Sequence, residues 1–195
     1  MVSCFNRKSI NEIGFAYGGS VYVFPADYWC IYECCKGMKD YLEIGSMFGA
    51  SAIIAGYGVS GEVHCIEPFG VKGDKDRQIK GCYVTEENLR ENWERHHDTN
   101  RLVIHPQYHP PMPEAISGRR FDITFIDGCH EYEAVKIDLA GVARITNKLI
   151  LVHDIFDSEM CDRPVKNAYL EFVDNNAEWE HVKYKGCVGV LRRKE

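Results

Sequence analysis

The chain has 195 residues, 45% of them hydrophobic and 27% charged, the composition of one ordinary globular domain. Twenty-nine acidic against 23 basic residues leave a formal net charge of −6, so the chain lacks the overall basic field that draws a protein to nucleic acid. No stretch approaches the ~20 apolar residues that span a bilayer, no apolar leader core opens the chain, and nine cysteines lie scattered without a CxxC pair, so a reduced cytoplasmic protein free of disulfides is expected.

Residues 1–24 are weakly patterned and read as an arm. Pro25 suits a first helical turn. Tyr28, Ile31, Tyr32 and Cys35 then recur at i, i+3, i+4 and i+7, which predicts a helix over 26–37 with Gly37 as its stop. From there strands and helices alternate. Residues 41–44 read as a strand, 49–55 as a helix and 62–66 as a second strand. A polar, glycine-spaced loop follows. Thr85 then caps a helix with Glu86 and Glu87 in its first turn, running to about His97. Residues 102–105 form a third strand, stopped by Pro106 and the prolines after it. Strands over 121–126 and 149–152 flank a helix over 131–143. A helix over 163–175 leads to two last strands, 181–184 and 188–191, joined at Lys185 and Gly186. This order predicts an α/β fold on a mostly parallel sheet. Ligands of such sheets bind beyond the carboxyl ends of the strands.

Those ends carry the chemistry. The first strand runs into Glu43-Ile44-Gly45-Ser46-Met47-Phe48-Gly49, a glycine turn that lets backbone and a helix N-terminus approach a ligand. The third glycine of GxGxxG is missing, which disfavours a nicotinamide or flavin. Glu67 ends the second strand some two dozen residues on, where an acid suits the hydroxyls of a ribose. Asp127 ends the fourth strand, followed by His130, and His153-Asp154 ends the fifth. Asp127 and Asp154 would share one cleft, and two carboxylates can hold Mg²⁺. Asp127 equally suits a cap on the next helix. His153 and His130 are candidate general bases. Tyr17, Tyr22, Trp29, Trp93 and Tyr108 are candidates to line a substrate pocket. Pro106 keeps His105 and His109 from sharing a helix face, against a zinc site there.

Together YLEIGSMFGASA, HCIEPF, FDITFIDGCHEYEAVKIDL, LILVHD and GCVGVLRR resemble the class I S-adenosylmethionine-dependent methyltransferases. More narrowly, they resemble the group that includes macrolide-sugar O-methyltransferases and cephalosporin-hydroxylase-like proteins. The matching stretches begin at residue 41. The resemblance implies a Rossmann-like, seven-stranded, mostly parallel sheet with helices on both faces and an antiparallel last strand. It implies a single domain, with 1–40 as arm and helix and 41–195 as cofactor-binding core. It places Glu43, Gly45, Ser46 and Gly49 at the amino-acid part of S-adenosylmethionine, Glu67 at its ribose and Asp127 beside the methyl donor. Gln107 and Tyr108 are the polar residues available near the adenine. Asp127 and Asp154 map to metal ligands, with His153 where some relatives have another acid. Ile145-Thr146-Asn147-Lys148 replaces the Pro-Gly-Gly turn usual before the fifth strand.

The expected function is therefore methyl transfer to a hydroxyl of a small molecule or sugar, with Mg²⁺ assistance an option. His153 or His130 would be the base, beside Asp127. The alternatives are a catalytically inactive cofactor-binding or scaffold protein, or a methyltransferase acting on nucleic acid or protein. The four ionisable groups at the strand ends favour an enzyme, and the acidic balance disfavours nucleic acid. The core consumes most of the chain. That points to a small acceptor, or to a pocket completed by a second copy in a homo-oligomer.

Overall fold

A computed structural model describes residues 12–13, 25–70, 78–79, 82–155 and 163–195. Tyr17 and Tyr22, and most of the expected arm, lie outside the described residues. Helix α1 (Pro25–Cys35) buries Tyr28, Cys30, Ile31, Cys34 and Cys35 along one face, as its spacing predicts. Gly37, at φ 75°, ends it in the left-handed region that glycine enters without a Cβ penalty.

Strands β1 (Tyr41–Ile44) and β2 (Val63–Ile66) are buried at every position and enclose helix α2 (Ala50–Gly56). A short hairpin, β3 (Gln78–Ile79) and β4 (Cys82–Tyr83), occupies part of the expected loop. Helix α3 (Glu86–Glu94) follows, with Thr85 Oγ1 accepting the Asn88 N–H as its cap. Next come β5 (Leu102–His105), β6 (Phe121–Ile126), helix α4 (Tyr132–Ala143) and β7 (Thr146–Val152). Helix α5 (Arg163–Asn175) and the antiparallel pair β8 (Trp179–Lys185) and β9 (Val188–Arg193) close the order.

Seven strands form one sheet in the order β5-β2-β1-β6-β7-β9-β8. The five from β5 to β7 run parallel, and β9 pairs antiparallel with both β7 and β8. The expected seven-stranded, mostly parallel architecture is the one observed. Covered on both faces, parallel strands read as unbroken apolar runs rather than as alternating ones. On one side α1, α2 and α3 supply Ile31, Ile53 and Trp93 to the core. On the other, α4 and α5 supply Leu139 and Tyr169. Trp93 is thus a core residue, 1% exposed, and not part of a substrate pocket.

Three boundaries move. β7 starts at Thr146, because its buried hydroxyl is satisfied by Val142 O at 2.7 Å and lies 3.0 Å from Thr124 Oγ1. Helix α3 stops at Glu94, and His97 turns its ring nitrogen onto Ile53 O at 2.8 Å. β8 extends back to Trp179, whose side chain is buried against Arg193. Among the described residues no helix is long and apolar enough to cross a membrane.

Candidate active site

The carboxyl ends of the parallel strands open on a cavity of about 420 Å³, lined by Gly45, Met47, Glu67, Gln107, His109 and Asp127 among others. A smaller recess between α1 and the glycine turn, lined by Tyr28, Ser46 and Ser51, meets it at Gly45, Met47 and Asp127. The expected cofactor turn and the expected metal carboxylate therefore border the same space.

Gly45 has φ 88°, and a Cβ there would stand 2.1 Å from the Asp127 carbonyl oxygen. The Asp127 N–H donates to Ile44 O at 2.9 Å. The glycine is thus required first by the protein itself, because it lets the backbone beyond β1 pass close against the backbone beyond β6. Gly49, at φ 87°, is the N-cap of α2.

Glu67 is fully buried at the end of β2. Its Oε2 accepts the Met47 N–H at 3.0 Å and its Oε1 the Phe69 N–H at 3.2 Å. Met47 and Phe69 both adopt positive φ, 47° and 51°, which non-glycine residues seldom do. Glu43 is also fully buried, among strand side chains. Tyr41 Oη donates to its Oε2 at 2.8 Å. Burial pushes its pKa up to about 7, although the nearby hydroxyls of Ser46, Tyr41 and Ser51 oppose the rise.

Asp127 and His153 leave the sheet side by side, since Ile126 pairs with Val152 and the His153 N–H donates to Ile126 O at 3.0 Å. Asp127 caps no helix, because the N-cap position of α4 is Glu131. Asp154, at φ 57°, turns back toward the same point. His153 Nδ1 stands 3.2 Å from Asp154 Oδ2 and 3.5 Å from Asp127 Oδ1. These three ligand atoms lie within 4.8 Å of one another. Nδ1 is buried yet makes no well-directed hydrogen bond. On the other ring edge, His153 Nε2 lies 3.4 Å from Asp27 Oδ2. Asp27, from the first turn of α1, is fully buried, and its Oδ1 accepts the Cys187 N–H at 2.7 Å.

His130 closes the outer side. Its side chain is 41% exposed, and its Nε2 lies 3.3 Å from Asp154 Oδ2 and 3.7 Å from Asp127 Oδ1. The two carboxylates are thus flanked by one buried and one accessible imidazole. Burial alone would raise the pKa of Asp127, but His153 and His130 outweigh it and hold the carboxyl well below its usual range. Burial would likewise lower that of His153, and the charges of Asp127, Asp154 and Asp27 overturn this and raise it well above 6.5. Burial and then Asp127 also push the Tyr28 phenol upward.

The structure therefore brings together Asp127, His130, His153 and Asp154, and separately Gly45, Ser46 and Glu67. Sequence reading missed Asp27 and a buried pair on the cavity wall, in which His109 Nδ1 lies 2.5 Å from Asp138 Oδ1. An Asp in a helix's first turn and an Asp within a helix carry no local signal of such partners. Tyr108, 66% exposed, and Gln107 do line the cavity. Gln107 Nε2, however, is engaged within its own loop, at 2.9 Å from Pro111 O.

Solved structures share this architecture at low sequence identity. The O-methyltransferase from Bacillus cereus in complex with SAH is 16% identical and superposes with a TM-score of 0.68, over 96% of this chain and 90% of that one. Cofactor-bound Rv0187 from MTB is 17% identical, with a TM-score of 0.68, over 96% and 89% of the two chains. The O-methyltransferase TomG from Streptomyces achromogenes, involved in tomaymycin synthesis and solved with SAM, is 11% identical, with a TM-score of 0.65 over 99% and 91%. No curated relative matches the chain by sequence. The model of a methyltransferase domain family matches residues 42–155, which span the glycine turn, Glu67, Asp127 and His153-Asp154. With that match over more than half of its length, and with the class I S-adenosylmethionine-dependent methyltransferase fold around it, the chain belongs to this methyltransferase domain family.

Proposed function

We propose that the protein transfers a methyl group from S-adenosylmethionine to a hydroxyl of a small acceptor, assisted by a divalent cation. The observation that carries this reading is the group of Asp127, His130, His153 and Asp154 at the edge of the cavity that holds the glycine turn and Glu67. The cofactor supplies an activated methyl on sulfur, so the protein's main task is alignment, a contribution of ~7–11 kcal/mol when geometry is well held.

The residues present fit the cofactor. The cavity is of ligand size. Glu67, held by two backbone amides, lines the cavity where a ribose diol would be bound. Glu43, Ser46 and Ser51 cluster beside the smaller recess, where the amino-acid part would lie next to Gly45 and Asp127. Gly45 keeps this floor open only while it lacks a side chain.

The residues also fit a cation. Asp127, His153 and Asp154 would hold it, because a buried nitrogen without a directed hydrogen bond faces two carboxylate oxygens. Asp27 supplies the outer partner that ligating histidines commonly have, and so fixes which ring nitrogen faces inward. One nitrogen among the ligands shifts preference from Mg²⁺ toward Mn²⁺, Fe²⁺ or Zn²⁺. A bound cation supplies Lewis-acid stabilisation to an acceptor alkoxide.

In this reading the base is His130 rather than His153. His153, walled in by three carboxylates, either keeps its proton or ligates the cation, and in neither state can it accept a proton from the acceptor. His130 reaches solvent and both carboxylates, and general-base action is worth roughly 10²–10⁴-fold. The decisive experiment is calorimetry of the full chain with S-adenosylhomocysteine, and separately with Mn²⁺ and Mg²⁺. Micromolar cofactor binding and tighter Mn²⁺ than Mg²⁺ binding are expected. No cofactor binding at millimolar concentration overturns the reading.

A further inference from the structure

Asp138 has no place in the chemistry described so far, yet it is a carboxylate 2% exposed in the middle of α4. An aspartate there costs helix propensity and desolvation, and an apolar residue would pack more cheaply. Only one of its oxygens is engaged, by His109 Nδ1 at 2.5 Å. His109 is itself pinned over α4, since a Cβ on Gly141 would stand 3.1 Å from His109 Nε2. The other oxygen, Oδ2, faces the space in front of Gly128, where a Cβ would lie 3.7 Å from it and 3.1 Å from Ile44 Cγ2. Asp138, His109 and Gly128 all line the same cavity as Glu67. Burial pushes the Asp138 pKa upward and the His109 contact opposes that rise.

We infer that Asp138, positioned by His109, reads the exocyclic amino group of the cofactor's purine. The inference rests on the cofactor reading above. With the ribose at Glu67, the attached base would occupy the part of the same cavity that Pro68, Val84, Gly128 and Asp138 line. A carboxylate only accepts hydrogen bonds, and the adenine amino group donates two. A base bearing an oxygen at that position would set acceptor against acceptor in a buried site, which is how a polar site rejects an isostere. His109 holds one carboxylate oxygen and thereby aims the other. Gly128, lacking a Cβ, leaves that oxygen reachable.

The test is calorimetry on the full chain with S-adenosylhomocysteine, its inosine counterpart and its N6,N6-dimethyl counterpart. The wild-type protein should bind the last two at least ~30-fold more weakly than the first, the scale of a charged hydrogen bond. Asp138→Asn should bring the adenosine and inosine compounds to within about threefold of each other. His109→Phe, which leaves the carboxylate but removes its holder, should reduce the discrimination without abolishing binding. Should Asp138→Asn fail to fold, His109→Phe decides in its place, because undiminished discrimination in that variant overturns the inference. Equal wild-type affinity for the three compounds overturns the inference and leaves the cofactor reading standing. Undiminished discrimination in a folded Asp138→Asn does the same. Absence of any wild-type binding to S-adenosylhomocysteine overturns both.

Discussion

Two histidines lie at nearly the same depth on the same sheet, and their pKa values are displaced in opposite directions. His64, on β2, is 1% exposed, and His153, beyond β7, is 3% exposed. His64 Nδ1 lies 3.0 Å from His105 Nε2, and its ring meets the edge of Phe121. Burial brings its pKa down to about 4, with Arg119 and His105 adding to the fall and Glu62 opposing it. His153 feels the same burial, but Asp127, Asp154 and Asp27 surround it and raise its pKa well above 6.5. Burial therefore sets only the default, which is a neutral ring. Three carboxylates on three separate segments reverse that default, and they do so at the ligand end of the sheet. The His64 pair sits where nothing needs a charge, and it behaves as core.

The largest expected effect comes from breaking the charged side. Asp127→Asn removes a proposed cation ligand and leaves His153 facing less negative charge. Mn²⁺ binding should be lost, and the metal-free protein should lose about 3–5 kcal/mol in denaturant unfolding, as when one partner of a buried ion pair is removed. Asp27→Asn removes no ligand but changes the outer partner of one, His153, and should weaken Mn²⁺ binding roughly 10–100-fold. His64→Gln should leave Mn²⁺ affinity unchanged. If His64→Gln and Asp27→Asn weaken it equally, the contrast between the two sites is not one of function.

The pH dependence sharpens the same contrast, because the two rings have opposite signs. The folded pKa of His64 lies below the unfolded value of about 6.5. Its stabilising effect is present above 6.5 and is lost as pH falls toward 4, up to about 3 kcal/mol by linkage. His153 in metal-free protein is raised, so its contribution is full below about 6.5 and is lost only as pH rises through its elevated value. Asp127 is depressed, so its contribution is present above about 3.8 and is lost as pH falls through its folded value. Between pH 7 and pH 4, unfolding of His64→Gln should therefore show a shallower slope than the wild type. His153→Gln should instead remove stability across that window. Parallel slopes for wild type and His64→Gln would show that folding does not depress the pKa of His64.

How much of this was legible in the sequence follows from how local each cause is. The parallel strands announced themselves because burial on both faces favours continuous apolar runs, as in residues 149–152. The glycine turn, Glu67, Asp127 and Asp154 were readable because topology places strand ends together whatever the details of packing. Asp27 was not, since it reaches His153 across 126 residues and looks locally like any acid in a first helical turn. The raised pKa of His153 depends on two distant carboxylates, Asp27 and Asp127, besides its neighbour Asp154, so its suitability as a base could not be judged from the tripeptide around it. Asp138 and His109 were hidden in the same way, the first by its helix and the second by its prolines.

The smallest effect expected concerns a third buried group, intermediate between the two histidines. Glu43 is fully enclosed, with hydroxyl donors but no cation, and its pKa rises to about 7. A carboxyl raised in this way contributes stability below its unfolded value of about 4.5 and loses it as pH climbs through 7. At pH 8 the metal-free, cofactor-free protein thus carries an ionised carboxylate that burial disfavours. Glu43→Gln should raise stability by about 1–3 kcal/mol at pH 8 and by much less at pH 5, measured by urea unfolding. The same variant should bind S-adenosylhomocysteine more weakly if Glu43 serves the cofactor's ammonium. A gain in stability at pH 8 with unchanged affinity would make Glu43 a purely structural acid. A loss of stability at pH 8 would mean that the hydrogen bond from Tyr41 and the other hydroxyls around Glu43 outweigh its desolvation, and that hydroxyls can do for Glu43 what carboxylates do for His153.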